Sequence, residues 1–144
     1  MPRGDVDQLL SILRASGIRP RRRPEVTQLG KLRLVQCLYE PPGALMDLNV
    51  DLLVADCVYQ HQALDRRVPE QLAGIDIFIL TCEDLILHKL LAARIIDRAD
   101  CVALVRLQRD ALDWKYLKTW AMHLAVSEEL SGTWAEAFPS ERLT

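Results

Sequence analysis

Five side chains in this sequence have types and spacing suited to work on a phosphate: Asp51, Lys89, Arg94, Asp97 and Asp100. Asp51 stands alone inside the apolar run Val50-Asp51-Leu52-Leu53-Val54-Ala55. A carboxylate in such a run costs free energy unless it is exposed at a site or paired. It therefore reads either as a strand-end aspartate that caps a loop or pairs with an arginine, or as a functional carboxylate. The other four follow Thr81-Cys82-Glu83-Asp84, which starts a predicted helix carrying Lys89 and then Arg94, Asp97 and Asp100. A lysine there could hold an anionic group beside Asp51. Arg94 and Asp97 are three residues apart, which fits a plain helical ion pair as well as a substrate contact.

The elements that must position these groups are legible from periodicity. Val6, Leu9, Leu10 and Leu13 predict an amphipathic helix over residues 5–16, stopped by Gly17. Residues 19–24 read as a basic loop between prolines. A strand is predicted over 32–39, with Leu32, Leu34 and Gln36 on one face and Arg33, Val35 and Cys37 on the other. Pro41-Pro42-Gly43 is a turn. The nearly apolar run 48–55 then predicts a strand covered on both faces. Residues 58–64 suit a short helix, and 67–72 with 75–80 suit a hairpin about Ala73-Gly74. Thr81 and Asp84 form a capping box for a helix whose buried side is Leu85, Leu87, Leu90 and Leu91. Further helices are predicted over 98–109, 114–124 and 127–138. The whole reads as one domain, an α/β part to residue 80 and a helical part from 81, with a seam between them.

Composition narrows the function classes. A chain of 144 residues, half of them hydrophobic, can bury a core and is not disordered in the main. The net charge of −2 exerts no global pull on nucleic acid or anionic membrane, so polyanion binding would be local. Arg19, Arg21, Arg22 and Arg23 are the local candidate for the phosphates of RNA or a nucleotide, although no aromatic is interleaved for base stacking. The bland alternative is a solvated loop. No apolar run reaches the ~18 residues of a membrane span. The four cysteines lack Cys-x-x-Cys or zinc spacing and read as buried free thiols in a reducing, cytoplasmic setting. His61, His88 and His123 lie at no metal-ligand spacing, and Trp114, Trp120 and Trp134 suit core anchors on helices.

The segments Leu13–Pro20, Gly30–Val35, Val50–Leu53, Thr81–Asp97 and Leu112–Trp120 together resemble the nucleotidyltransferase superfamily of polymerase-beta-like fold. The AbiEii-type toxin branch is the most similar, and Thr81–Asp97 is the most specific part. The resemblance implies an α+β fold: a partial nucleotidyltransferase mixed sheet, flanking helices and a C-terminal helical extension. It implies transfer of a nucleoside monophosphate from a nucleoside triphosphate to RNA, protein or a small acceptor, possible in a toxin–antitoxin or phage-defence setting. Such enzymes use three carboxylates to hold two Mg²⁺ ions, one activating the acceptor and one steadying the pyrophosphate. By the same resemblance Asp51 is the third, metal-binding carboxylate, Lys89 a phosphate ligand helped by Arg94, and Asp97 an orienting group. The family's Gly-Ser turn and Asp-x-Asp strand have no match, since the chain begins about where the following helix begins. Gly4-Asp5-Val6-Asp7 precedes helical spacing, so Asp5 and Asp7 read as favouring a helix N-terminus. A catalytically inactive nucleotidyltransferase-fold module for binding or oligomerisation is therefore the alternative. An unpaired sheet edge beside the strand 48–55 would call for a homodimer or a partner chain.

Overall fold

The computed structural model describes residues 3–23 and 25–141. The chain forms two compact units, Met1–Asp56 and Cys57–Thr144. The division falls just after the second predicted strand, whereas the sequence pattern suggested a seam near residue 81. Both units combine helix with antiparallel sheet, so the α+β class stands while the pairing is antiparallel throughout rather than mixed.

The first unit runs α1 (Arg3–Ala15), β1 (Ile18–Pro20), β2 (Val26–Leu29), β3 (Leu32–Tyr39) and β4 (Leu48–Leu53). Strand β3 is central. β1 pairs with its end (Ile18 opposite Tyr39), β2 with its start (Leu29 opposite Leu32), and β4 along the other edge (Leu34 opposite Leu53). Val6 and Leu10 of α1 pack with Val35, Cys37 and Val54, joined by Leu13, Ile18, Val26, Val50 and Leu52. Burying one such aliphatic side chain contributes about 1.5–3 kcal/mol, which fixes α1 against one face of the sheet. Gly17, at φ +79°, ends α1 in the left-handed conformation that glycine adopts without a steric penalty.

Three expectations change here. Part of the basic stretch is strand, because Pro20 sits in an edge strand where a missing N–H is tolerated; Pro24 lies outside the described residues. β2 has little apolar alternation and carried no strand signal. Finally, β4 is not covered on both faces: Leu48 and Leu53 are exposed, and β4 pairs only with β3 among the described residues. Asp5 and Asp7 do lie in α1, with Asp7 exposed; the side chain of Asp5 lies outside the described residues.

The second unit runs α2 (Val58–Asp65), β5 (Val68–Leu72), β6 (Ile75–Ile79), α3 (Cys82–Ala92), α4 (Ile95–Gln108), α5 (Trp114–His123) and α6 (Ser127–Ala137). α3 packs on α4 and α5, and α6 closes against α4 and α5. Ile86, Leu87, Cys101, Val105, Leu117, Ala121, Val126 and Leu130 are all buried. Leu87, Leu90 and Leu91 are buried as expected, while Leu85 is exposed. Ile86, Glu83, Asp84 and His88 are buried as well, so α3 is enclosed on most of its circumference. The β5–β6 hairpin turns at Ala73 (φ +50°) and Gly74 (φ +81°), the two positive-φ positions of a tight hairpin turn.

Candidate functional site

The local geometry begins with the cap of α3. Thr81 accepts a hydrogen bond from the Asp84 backbone N–H at 3.3 Å, and its hydroxyl donates to Asp84 Oδ2 at 2.8 Å. Asp84 is fully buried and does much more than cap. Arg66 Nε donates to Oδ2 at 3.1 Å, and the Tyr116 hydroxyl donates to Oδ1 at 2.7 Å. The Arg66 guanidinium also lies 3.9 Å over the Tyr116 ring. Glu83, beside it, accepts from the Asp113 backbone N–H at 2.9 Å. One carboxylate pair thus ties the start of α3 to the end of α2 and to α5. Burial, the Asp84 hydrogen bond and the Asp84 charge together push the Tyr116 phenol well above its usual range. His88 Nδ1 lies 2.8 Å from the Asp84 carbonyl and 3.2 Å from the Tyr59 hydroxyl, and the histidine is buried. It belongs to the packing.

α3 then stops. Ala93 takes a left-handed conformation (φ +56°) at the C-cap, its N–H donating to the Lys89 carbonyl at 3.1 Å, and Arg94 starts α4 as its N-cap. The single helix expected to carry Lys89 through Asp100 is therefore two helices. This break makes the cluster possible. On one continuous helix Lys89 and Asp100 would be ~16 Å apart along the axis. Across the break, Lys89 Nζ donates to Asp100 Oδ2 at 2.5 Å and lies 3.6 Å from Asp97 Oδ1. Arg94 holds Asp97 in a fork, Nε to Oδ2 at 2.7 Å and Nη2 to Oδ1 at 3.0 Å, while its backbone N–H reaches Oδ2 at 3.3 Å.

Asp97 is the buried centre of this group, its side chain only 2% exposed against 50% for Arg94. The hydrogen bond from Arg94 holds the Asp97 carboxyl below its usual range against the opposing effect of burial, and the Lys89 charge adds to the shift. For Lys89, burial works to lower the ammonium's affinity for its proton. The bond to Asp100 and the charges of Asp100 and Asp97 outweigh burial and raise it. Lys89 is therefore a firmly charged cation.

Beside the cluster opens a cleft of about 460 Å³, lined in part by Lys89, Arg94, Arg98, Glu128, Glu129 and Thr133. That volume falls in the usual range for small-molecule sites. Each of the three cations on its walls is already ion-paired, Lys89 with Asp100, Arg94 with Asp97 and Arg98 with Glu136 at 2.9 Å. An anionic group bound there would share them with these carboxylates, while Glu128 and Glu129 would accept from hydrogen-bond donors.

Of the sequence candidates, Lys89, Arg94 and Asp97 are thus brought together in the second unit. Asp51 belongs to the first. It lies exposed on β4 opposite Gln36, with no side-chain hydrogen bond or ion pair among the described residues. The arginine partner of the structural reading is not seen. No protein-family model, curated protein or solved structure matches this chain. Among the described residues no group of three His, Cys, Asp or Glu side chains is placed to hold a metal ion. An exposed aspartate by itself is a poor site for Mg²⁺, which gives up hydration reluctantly. The described residues do not fit the two-magnesium cage.

Arg98, Glu128 and Glu129 escaped the sequence reading. Arg98 lay inside a predicted helix without a motif, and the two glutamates begin a helix far along the chain. Only the packing of α6 on α4 unites them. Arg66, at the end of α2, and Tyr116, on α5, come from distant segments and meet only at Asp84.

Proposed function

We propose that this chain is a nucleotidyltransferase-type nucleotide-binding protein whose cleft between α3, α4 and α6 takes the phosphates of a nucleoside triphosphate. The observation that carries the reading is the convergence of Lys89, Arg94 and Arg98 on that one cleft. Lys89 is the phosphate ligand. Asp97 is a positioning residue that fixes the Arg94 guanidinium and faces Lys89 from behind. Glu128 and Glu129 accept hydrogen bonds from the sugar or base. The reaction attached to this reading is transfer of a nucleoside monophosphate to RNA, protein or a small acceptor, in a toxin–antitoxin setting.

Titration calorimetry on the full chain with a nucleoside triphosphate, with and without Mg²⁺, tests it. Binding should weaken at least tenfold in Lys89→Ala and in Arg94→Ala, since charge-assisted contacts to phosphate are worth about 1.5–3 kcal/mol each. No heat at millimolar nucleotide would sink the reading.

A second reading is favoured by the isolation of Asp51 and the lack of a three-carboxylate group among the described residues. It is a module that binds nucleotide, or pairs with another chain, without turnover. Incubation with an α-phosphate-labelled nucleotide separates the two: label moved to an acceptor, and lost together with binding in Lys89→Ala, supports the transferase, and binding without transfer supports the module.

A further inference from the structure

A second cleft, of about 360 Å³, lies in the first unit and is lined by Arg14, Arg19, Pro20, Arg21, Arg22, Arg23 and Glu25. Five guanidiniums face one carboxylate there, in a chain whose net charge is −2. Two are already neutralised: Arg14 pairs with Glu25 at 2.7 Å, and Arg19 with Glu40 at 2.8 Å and Asp47 at 3.3 Å. These pairs hold the walls of the cleft. The other three are not neutralised. Arg21 reaches only the Asn49 side-chain oxygen, at 3.5 Å, and Arg22 and Arg23 have no carboxylate partner among the described residues. Three adjacent like charges, exposed and uncompensated, repel one another unless a multiply charged anion sits among them.

The chemistry of that anion follows from the residue types. All five cations are arginine and none is lysine, which favours the planar, two-pronged contact that phosphate oxygens accept. Neutralising Arg21, Arg22 and Arg23 takes more than one phosphate charge. At about 360 Å³ the cleft suits a few phosphate groups and far less than a duplex. No aromatic side chain lines it, so bases have nothing to stack on.

We propose that this arginine cleft binds the phosphate backbone of a single-stranded nucleic acid, without sequence preference. The site is independent of the nucleotide cleft in the second unit, and either can fail without the other.

Fluorescence anisotropy of the full chain with labelled 12-mers of oligo(U) and oligo(dT), between 50 and 200 mM salt, tests it. With three phosphate contacts the logarithmic salt slope should be about −2, an affinity loss of about twenty-fold over that range. Replacing Arg21, Arg22 and Arg23 together by alanine should weaken binding at least tenfold and flatten the slope. The double variant Arg22→Ala/Arg23→Ala, which touches no ion pair, should do so partially if the triple variant folds poorly. Lys115→Ala/Lys118→Ala on α5 should change nothing. Affinity that climbs from 3-mer to 12-mer supports a backbone site, with preference for oligo(U) or oligo(dT) naming its source. Absence of binding, indifference to the arginine substitutions, or equal binding of tripolyphosphate and the 12-mer would overturn it.

Discussion

Asp97 and Lys89 titrate in opposite directions from their ordinary values, and each direction fixes a pH window. The Asp97 carboxyl is held below 3.8 by Arg94, so its contribution to stability is fully present above that value and is lost as pH falls through the depressed folded value. Lys89 is raised above 10.5, so its contribution holds below that pH and is lost in stronger alkali. At neutral pH both act. Asp97→Asn should destabilise the fold by about 2 kcal/mol in urea unfolding at pH 7, discounted for the half-exposed Arg94. The gap from the parent chain should close as pH falls below 3.8; a gap independent of pH would contradict the assignment. Asp84→Ala should cost more, about 3 kcal/mol, because it removes a fully buried carboxylate to which Arg66, Tyr116 and Thr81 all donate. The cysteines allow a direct check. Cys57 is exposed and Cys82 half-buried, contrary to the expectation of four buried thiols, whereas Cys37 and Cys101 are buried. Burial pushes the Cys101 thiol up to about 12. A disulfide reagent at pH 8 should therefore modify Cys57 first, and Cys101 only on unfolding.

Among the elements, the joint between α3 and α4 is the most exacting. Alanine is the best helix former, and at Ala93 it adopts a conformation that side chains resist. Ala93→Gly should raise stability by about 1 kcal/mol, read from a thermal melt; a loss would mean the residue is not left-handed in solution. This also explains what could be read in advance. The start of α3 was legible because Thr81 and Asp84 carry a capping signal, and β3 because its alternation is regular. The joint was not, since nothing in Ala-Ala-Arg signals a stop. Lys89 and Asp97 were legible as residue types, but their meeting across the joint was not. Asp84 read as a cap because its partners Arg66 and Tyr116 come from distant segments. The β5–β6 hairpin makes few contacts outside itself, and Leu72, Ile75 and Phe78 are exposed. Its amides should exchange hydrogen faster than those of α3, whose residues are mostly buried.

At the scale of the whole molecule, the described residues contain no helix long and apolar enough to cross a membrane. Among the described residues β4 pairs on one side only, with β3, and Leu48 and Leu53 within it and Leu45 and Met46 before it are exposed. Such an edge offers unpaired N–H and C=O groups to a second strand. Sedimentation velocity should find a dimer that Leu53→Lys weakens; a monomer at high concentration would refute pairing there. Chain length is not equally free everywhere. The exposed run after Gly43 can absorb extra residues at little cost, since loop entropy grows slowly with length. The Ala93 joint cannot. One residue added before Arg94 would disrupt the left-handed cap at Ala93 and the extended N-cap at Arg94 that together set the direction of α4, leaving both helices intact while moving Asp97 and Asp100 away from Lys89. In relatives of this chain, insertions and deletions should therefore collect in the first place and spare the second.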